Sequence, residues 1–107
     1  MADATSVRGL AYLNQRLYVS EYDTQSIYIY RFDLSTMTVK EEGSIFIGAG
    51  ATGLATLDES HLIAYDVLFH KLLIVEAKKG GKIIETIPLN NTGIGSVGAL
   101  ETEMQAR

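Results

Sequence analysis

The sequence predicts an all-β chain made of two consecutive four-stranded antiparallel sheets. Three observations lead there. Val7-Arg8-Gly9-Leu10-Ala11 returns as Ala51-Thr52-Gly53-Leu54-Ala55, and Ser96-Val97-Gly98-Ala99-Leu100 begins a third time, with the glycines 44 and then 45 residues apart. A period in the low-to-mid forties is what four short strands and their turns occupy, as in one blade of a β-propeller. The strand expected third in each repeat also lacks a wet face. Ile27-Tyr28-Ile29-Tyr30 alternates aliphatic with aromatic, and Leu72-Leu73-Ile74-Val75 is apolar throughout. A sheet with one solvated face would alternate apolar with polar, so these strands fit a sheet wedged between two others. A two-sheet sandwich remains an alternative, but it leaves the repeat unexplained.

In the first repeat, Gly9–Leu13 is the inner strand and Asn14-Gln15 its turn. Leu17–Ser20 follows, then the turn Tyr22-Asp23-Thr24-Gln25 and the β-branched, aromatic strand Ile27–Phe32. Asp33-Leu34-Ser35-Thr36 turns again, and Met37–Ile47 supplies a fourth strand with a charged middle at Lys40-Glu41-Glu42. The second repeat keeps this order through Gly53–Leu57, the turn Asp58-Glu59-Ser60, His61–Tyr65 and Leu72–Val75. Lys78-Lys79-Gly80-Gly81 is its last turn and Lys82–Ile87 its outer strand, which Pro88 ends. Asp66 falls on Glu21. The expected organisation is one unit over residues 1–107, with blade 1 at about 5–50, blade 2 at about 51–95 and a stub at 96–107. The stub opens as a strand through Leu100 and continues in good helix formers.

Composition narrows the function classes. The chain is 47% hydrophobic and 21% charged, the balance of a globular protein, and its net charge of -4 comes without a Lys/Arg stripe. No nucleic-acid partner is therefore expected. No apolar run approaches the roughly 20 residues that span a bilayer, so no membrane partner is expected either. The opening Met1–Ser6 has neither the basic start nor the apolar run of a secretory leader, and a cytoplasmic location follows as the expectation. With 0 cysteines, a disulfide framework or thiolate chemistry is ruled out.

Residues 9–30, from Gly9-Leu10-Ala11 through Arg16-Leu17-Tyr18-Val19-Ser20 to Ile27-Tyr28-Ile29-Tyr30, resemble the NHL class of propeller repeat. That class shows a glycine-led inner strand, a Leu/Ile-Tyr-Val second strand, a polar turn and an Ile-x-Val third strand. The second repeat departs from it, since apolar Val67-Leu68-Phe69 replaces the polar turn. The chain contains 0 tryptophans, so the Trp-Asp signature of the WD class is missing. Two blades leave their outer apolar faces open, which predicts a homo-oligomer. The resemblance implies six blades, hence a trimer.

No catalytic constellation stands out. His61 and His70 lack metal or hydrolase spacing, Gly48-Ala49-Gly50 and Gly93-Ile94-Gly95 lack what a phosphate loop needs, and no serine sits in a nucleophile elbow. The candidate ligand- or partner-binding residues are those placed in turns: Glu21, Tyr22, Asp23, Asp66, His70, Asn90 and Asn91. Tyr22 is expected to be exposed. The expected function is a scaffold that binds a peptide or protein through loops at one end of an assembled ring, without a cofactor. The alternative is a calcium-assisted hydrolase or lactonase, in which carboxylates at the ends of the second strands, with Asn90 and Asn91, ring a cation at the pore.

Overall fold

The computed structural model describes residues 6–89. It is all-β over that span, with eight strands in two antiparallel sheets of sequential order. The first sheet holds β1 (Val7–Leu13), β2 (Arg16–Glu21), β3 (Ser26–Asp33) and β4 (Thr38–Phe46). The second holds β5 (Ala51–Asp58), β6 (His61–Asp66), β7 (Lys71–Glu76) and β8 (Ile83–Pro88). No helix among the described residues is long and apolar enough to cross a membrane. Asn90, Asn91 and the stub at 96–107 lie outside the described residues.

The turns explain where the strands stop. Glu21, Asp33 and Asp66 each end a strand, and each carboxylate accepts backbone N–H bonds from the turn that follows: from Thr24, from Ser35, and from Leu68 and Phe69. Four residues later the chain adopts a left-handed conformation, at Gln25, Met37 and His70, and re-enters the next strand. An acid that caps the turn and a left-handed residue that closes it form one grammar used three times. Two-residue turns join β1 to β2 and β5 to β6. At the first, Asn14 and Gln15 both take positive φ, as a tight hairpin requires.

One core joins the sheets. Ala11, Tyr18, Ile27, Ile29 and Ile45 of the first sheet pack on Leu54, Leu62, Ala64, Leu73 and Val75 of the second. The inner strands β1 and β5 come closest. A Cβ on Gly9 would stand 3.0 Å from the Leu54 backbone nitrogen and 2.8 Å from Ser20 Oγ, which explains the glycine at the head of the repeat. The second sheet buries its far face too, where Ile63, Leu72, Ile74 and Leu89 form a separate cluster at 5–8% exposure. The first sheet does so only in part, with Val19 at 9% exposure. Its isoleucines face the core as the alternation predicts, whereas Tyr28 and Tyr30 are only half-buried. The fully enclosed tyrosine is Tyr18 of the second strand, at 2% exposure, and the inner-strand Tyr12 is 51% exposed.

Candidate functional site

The β2–β3 and β6–β7 turns come to the same end of the molecule, together with Ser6 and the β4–β5 connection. Five of the seven sequence-predicted residues lie there. Glu21, 2% exposed, accepts the Ser6 N–H at 2.9 Å through Oε2 and the Thr24 N–H at 2.6 Å through Oε1. Asp23 is exposed and accepts the Ser6 hydroxyl at 2.7 Å. Tyr22 differs from expectation, being half-buried. Its ring lies so close over Gly50 that a Cβ there would stand 2.6 Å from it, and the Arg8 guanidinium sits 5.8 Å from its centroid. The Tyr22 ring thus lies against the β4–β5 connection.

In the second sheet, Asp66 is 1% exposed. Its Oδ1 accepts the Leu68 and Phe69 N–H groups at 3.1 and 3.3 Å; Oδ2 accepts no hydrogen bond and has the Lys71 ammonium 3.9 Å away. The same ammonium lies 5.3 Å from the Phe69 ring centroid. His70 closes the turn with φ 51°, shares a 2.8 Å hydrogen bond between Nδ1 and the Tyr65 hydroxyl, and accepts the Leu89 N–H on its carbonyl. One oxygen of each carboxylate, Glu21 Oε1 and Asp66 Oδ1, thus accepts from backbone N–H groups of its own turn, and the second oxygen of Glu21 ties the turn to Ser6. Among the described residues no three His, Cys, Asp or Glu side chains gather as metal ligands would.

Two features of this chain escaped the sequence. The first is the exposure at that same end: Leu68 is 63% exposed, Phe69 72% and, at the end of β4, Phe46 73%. The second lies at the opposite end, an open cleft of about 470 Å³ between the sheets. There a bulge in β4 turns Glu42 toward Arg16, whose Nε donates at 2.7 Å. Tyr18 donates its hydroxyl to the Ala77 carbonyl at 3.2 Å, and the Lys79 stem lies over Gly43. Burial raises the Tyr18 phenol above its usual value; the Arg16 charge opposes this and Glu42 adds to it. No local motif marks the cleft, because its walls come from separate turns and strands.

A grouping of Ser, His and Asp is also at that end. His61 Nδ1 lies 2.8 Å from Asp58 Oδ1 and 3.1 Å from Ser60 Oγ. A proton relay needs the acid on one ring nitrogen and the nucleophile on the other. Here both meet Nδ1, in an exposed turn. The Asp58 carboxyl is held below its usual range, first by the Ser60 backbone N–H and then by the His61 hydrogen bond. This is a turn cap.

Compared with known proteins, the chain matches no family model, and no curated protein matches it.

Proposed function

We propose that this chain is a propeller-type scaffold that holds a peptide or protein partner at the end formed by the β2–β3 and β6–β7 turns. The observation that carries this reading is the apolar turn Val67-Leu68-Phe69. The turn needs only Asp66 to cap it and a left-handed residue at His70 to close it, and the equivalent turn of the first sheet does the same work with Tyr22-Asp23-Thr24. Nothing in the local fold asks for Leu68 or Phe69, yet both stand mostly in water. Fully burying such a side chain against a partner contributes on the order of 1.5–3 kcal/mol. Central apolar anchors with a polar rim are how a small contact gains affinity. Lys71 beside Phe69 adds a cation, so the fitting partner presents an apolar side chain next to a carboxylate.

Selecting peptides from a displayed random library on the immobilised full chain tests this. Enriched peptides should be apolar and acidic, and should bind a Leu68→Ser, Phe69→Ser double variant at least about tenfold more weakly, while its thermal midpoint stays near that of the wild type. Failure to enrich any peptide, or equal binding to the double variant, would overturn the reading.

A further inference from the structure

The bulge of β4 recurs in β8, and the two sheets fill it differently. Ile29 pairs with Gly43 and Tyr30 with Glu41, so Glu42 is the extra residue of the first sheet. Ile74 pairs with Glu85 and Val75 with Ile83, so Ile84 is the extra residue of the second. The fold therefore uses a bulge at this place, and it does not require a charge there. Ile84, 53% exposed, serves one sheet as well as a carboxylate serves the other. Glu42 instead accepts from Arg16 Nε at 2.7 Å and has Arg31 Nη1 at 4.0 Å. The residue that matches Arg16 in the second sheet is His61, paired to Asp58 of its own turn.

Glu42 and Arg16 line the open cleft of about 470 Å³, whose other wall is the start of the β7–β8 turn. Its floor is apolar, made by Tyr18 and Ile29, each 2% exposed, and by Ala77. Arg16, Lys78 and Lys79 bring three cations to the lining against the one carboxylate of Glu42. In a chain of net charge -4 this local excess runs against the whole. Arg16 commits Nε to Glu42 and Nη1 to the Asn14 carbonyl at 3.4 Å, and Nη2 takes part in neither bond. Lys78 has only a loose partner, Glu76 at 3.9 Å. The walls are braced across the gap. Gly80 donates its N–H to the Ser44 carbonyl at 3.0 Å, Tyr18 its hydroxyl to the Ala77 carbonyl at 3.2 Å, and Asn14 its amide to the Glu59 carbonyl at 3.0 Å. The cleft is thus formed before any ligand arrives.

We propose that this cleft binds a small organic carboxylate, its apolar body on the Tyr18, Ile29 and Ala77 floor and its charge among Arg16, Lys78 and Lys79. Small-molecule sites are concavities of about 300–1,000 Å³, mostly apolar, with a few convergent polar groups, and the cleft has that form. Cations set beside an apolar wall attract an anion more strongly than the same cations in open water, because the local dielectric is lower. The chemistry of the anion follows from Arg16. A guanidinium is a planar fork suited to carboxylates, and this one already holds Glu42 on one edge. Its other edge suits a second. An inorganic anion would meet the charges but leave the floor in water, so the ligand carries an aliphatic or aromatic body. The inference does not rest on the peptide reading, since the cleft is at the opposite end of the molecule from Leu68 and Phe69.

Titration of the full, isotope-labelled chain followed by NMR tests it, with hexanoate as the probe. Hexanoate should bind saturably and shift the amide signals of Tyr18, Ile29 and Ala77. It should bind at least about tenfold more tightly than acetate, which lacks the body, and than hexylammonium, which reverses the charge. Inorganic phosphate should be weaker by a similar factor. A Lys78→Gln, Lys79→Gln double variant changes two exposed side chains, so its thermal midpoint should stay near that of the wild type. Its affinity for hexanoate should fall about tenfold or more. The Leu68→Ser, Phe69→Ser variant should bind hexanoate as the wild type does, which separates this site from the peptide site. The proposal is overturned by the absence of saturable shifts, or by shifts confined to residues 67–69. Acetate or phosphate binding as tightly as hexanoate would also overturn it, as that means charge alone. So would equal binding of hexylammonium, which means an apolar contact alone, or a double variant with unchanged affinity.

Discussion

Glu21 and Asp66 hold equivalent places in the two repeats, yet truncating them should have unequal effects. In Glu21→Ala, charge-assisted bonds vanish, among them one of 2.6 Å from Thr24 and one of 2.9 Å from Ser6. Bonds to a charged group are worth about 1.5–3 kcal/mol each. Relief of the buried carboxylate's desolvation offsets part of that, so a net loss of about 2–4 kcal/mol is expected. In Asp66→Ala the bonds lost are longer, at 3.1 and 3.3 Å, and both fall on one oxygen. The other oxygen is buried without a hydrogen bond and has only the Lys71 ammonium 3.9 Å away, so removing it returns part of a desolvation penalty of about 1–3 kcal/mol. The net loss should be about 0–1.5 kcal/mol. Urea unfolding of both variants at one protein concentration reads the difference, because a shared m-value turns midpoints into free energies. An Asp66→Ala cost equal to or above that of Glu21→Ala would refute the assignment of these carboxylates as turn caps of different quality. So would a Glu21→Ala cost below about 1 kcal/mol.

Two further outcomes follow from the packing between sheets. Gly9→Ala should lower stability by about 1–3 kcal/mol, because its Cβ meets the Leu54 backbone, which cannot rotate away; an unchanged urea midpoint would refute the close approach. Tyr18 contributes pH dependence of a stated sign. Its folded phenol is raised by burial, so the stability it contributes is fully present below the unfolded value of about 10 and is lost as pH rises through the folded value. Unfolding midpoints should fall above about pH 10, and Tyr18→Phe should flatten that fall while costing about 1 kcal/mol at neutral pH for the lost bond to Ala77. An alkaline slope identical in the variant would contradict the assignment.

The strands were legible because their signals are local. Glycine-led starts at Gly9 and Gly53, the alternation of Ile27-Tyr28-Ile29-Tyr30 and the acid-led turns all act within a few residues. What escaped the sequence depends on residues far apart. Tyr22 is a loop tyrosine by sequence, but its ring is half-buried because Gly50, which leads into the next sheet, offers a bare backbone to lie on. Tyr28 and Tyr30 have the composition of an enclosed face, and only the direction in which the sheets stack decides that Ile27 and Ile29 are covered while the tyrosines are half-buried. The cleft around Arg16 and Glu42 depends on a bulge in β4, for which Lys40-Glu41-Glu42 gives no spacing signal.

The two repeats serve as controls for one another, and this separates structure from candidate function better than either repeat does alone. Where they agree, the fold explains the agreement. Glu21 and Asp66 both cap turns, and Gln25 and His70 both close them in a left-handed conformation. Carboxylates at matching strand ends were candidate ligands by sequence, yet their match follows from turn chemistry, which any repeat must satisfy. Where the repeats differ, the fold makes no such demand. Tyr22-Asp23-Thr24 and Val67-Leu68-Phe69 span the same turn, so the apolar version answers to something other than the turn. An exposed Phe69 contributes nothing to the core and adds a risk of aggregation. That cost without a local return is the physical reason to look for the partner at this turn rather than at the conserved geometry beneath it, where the two repeats do the same thing.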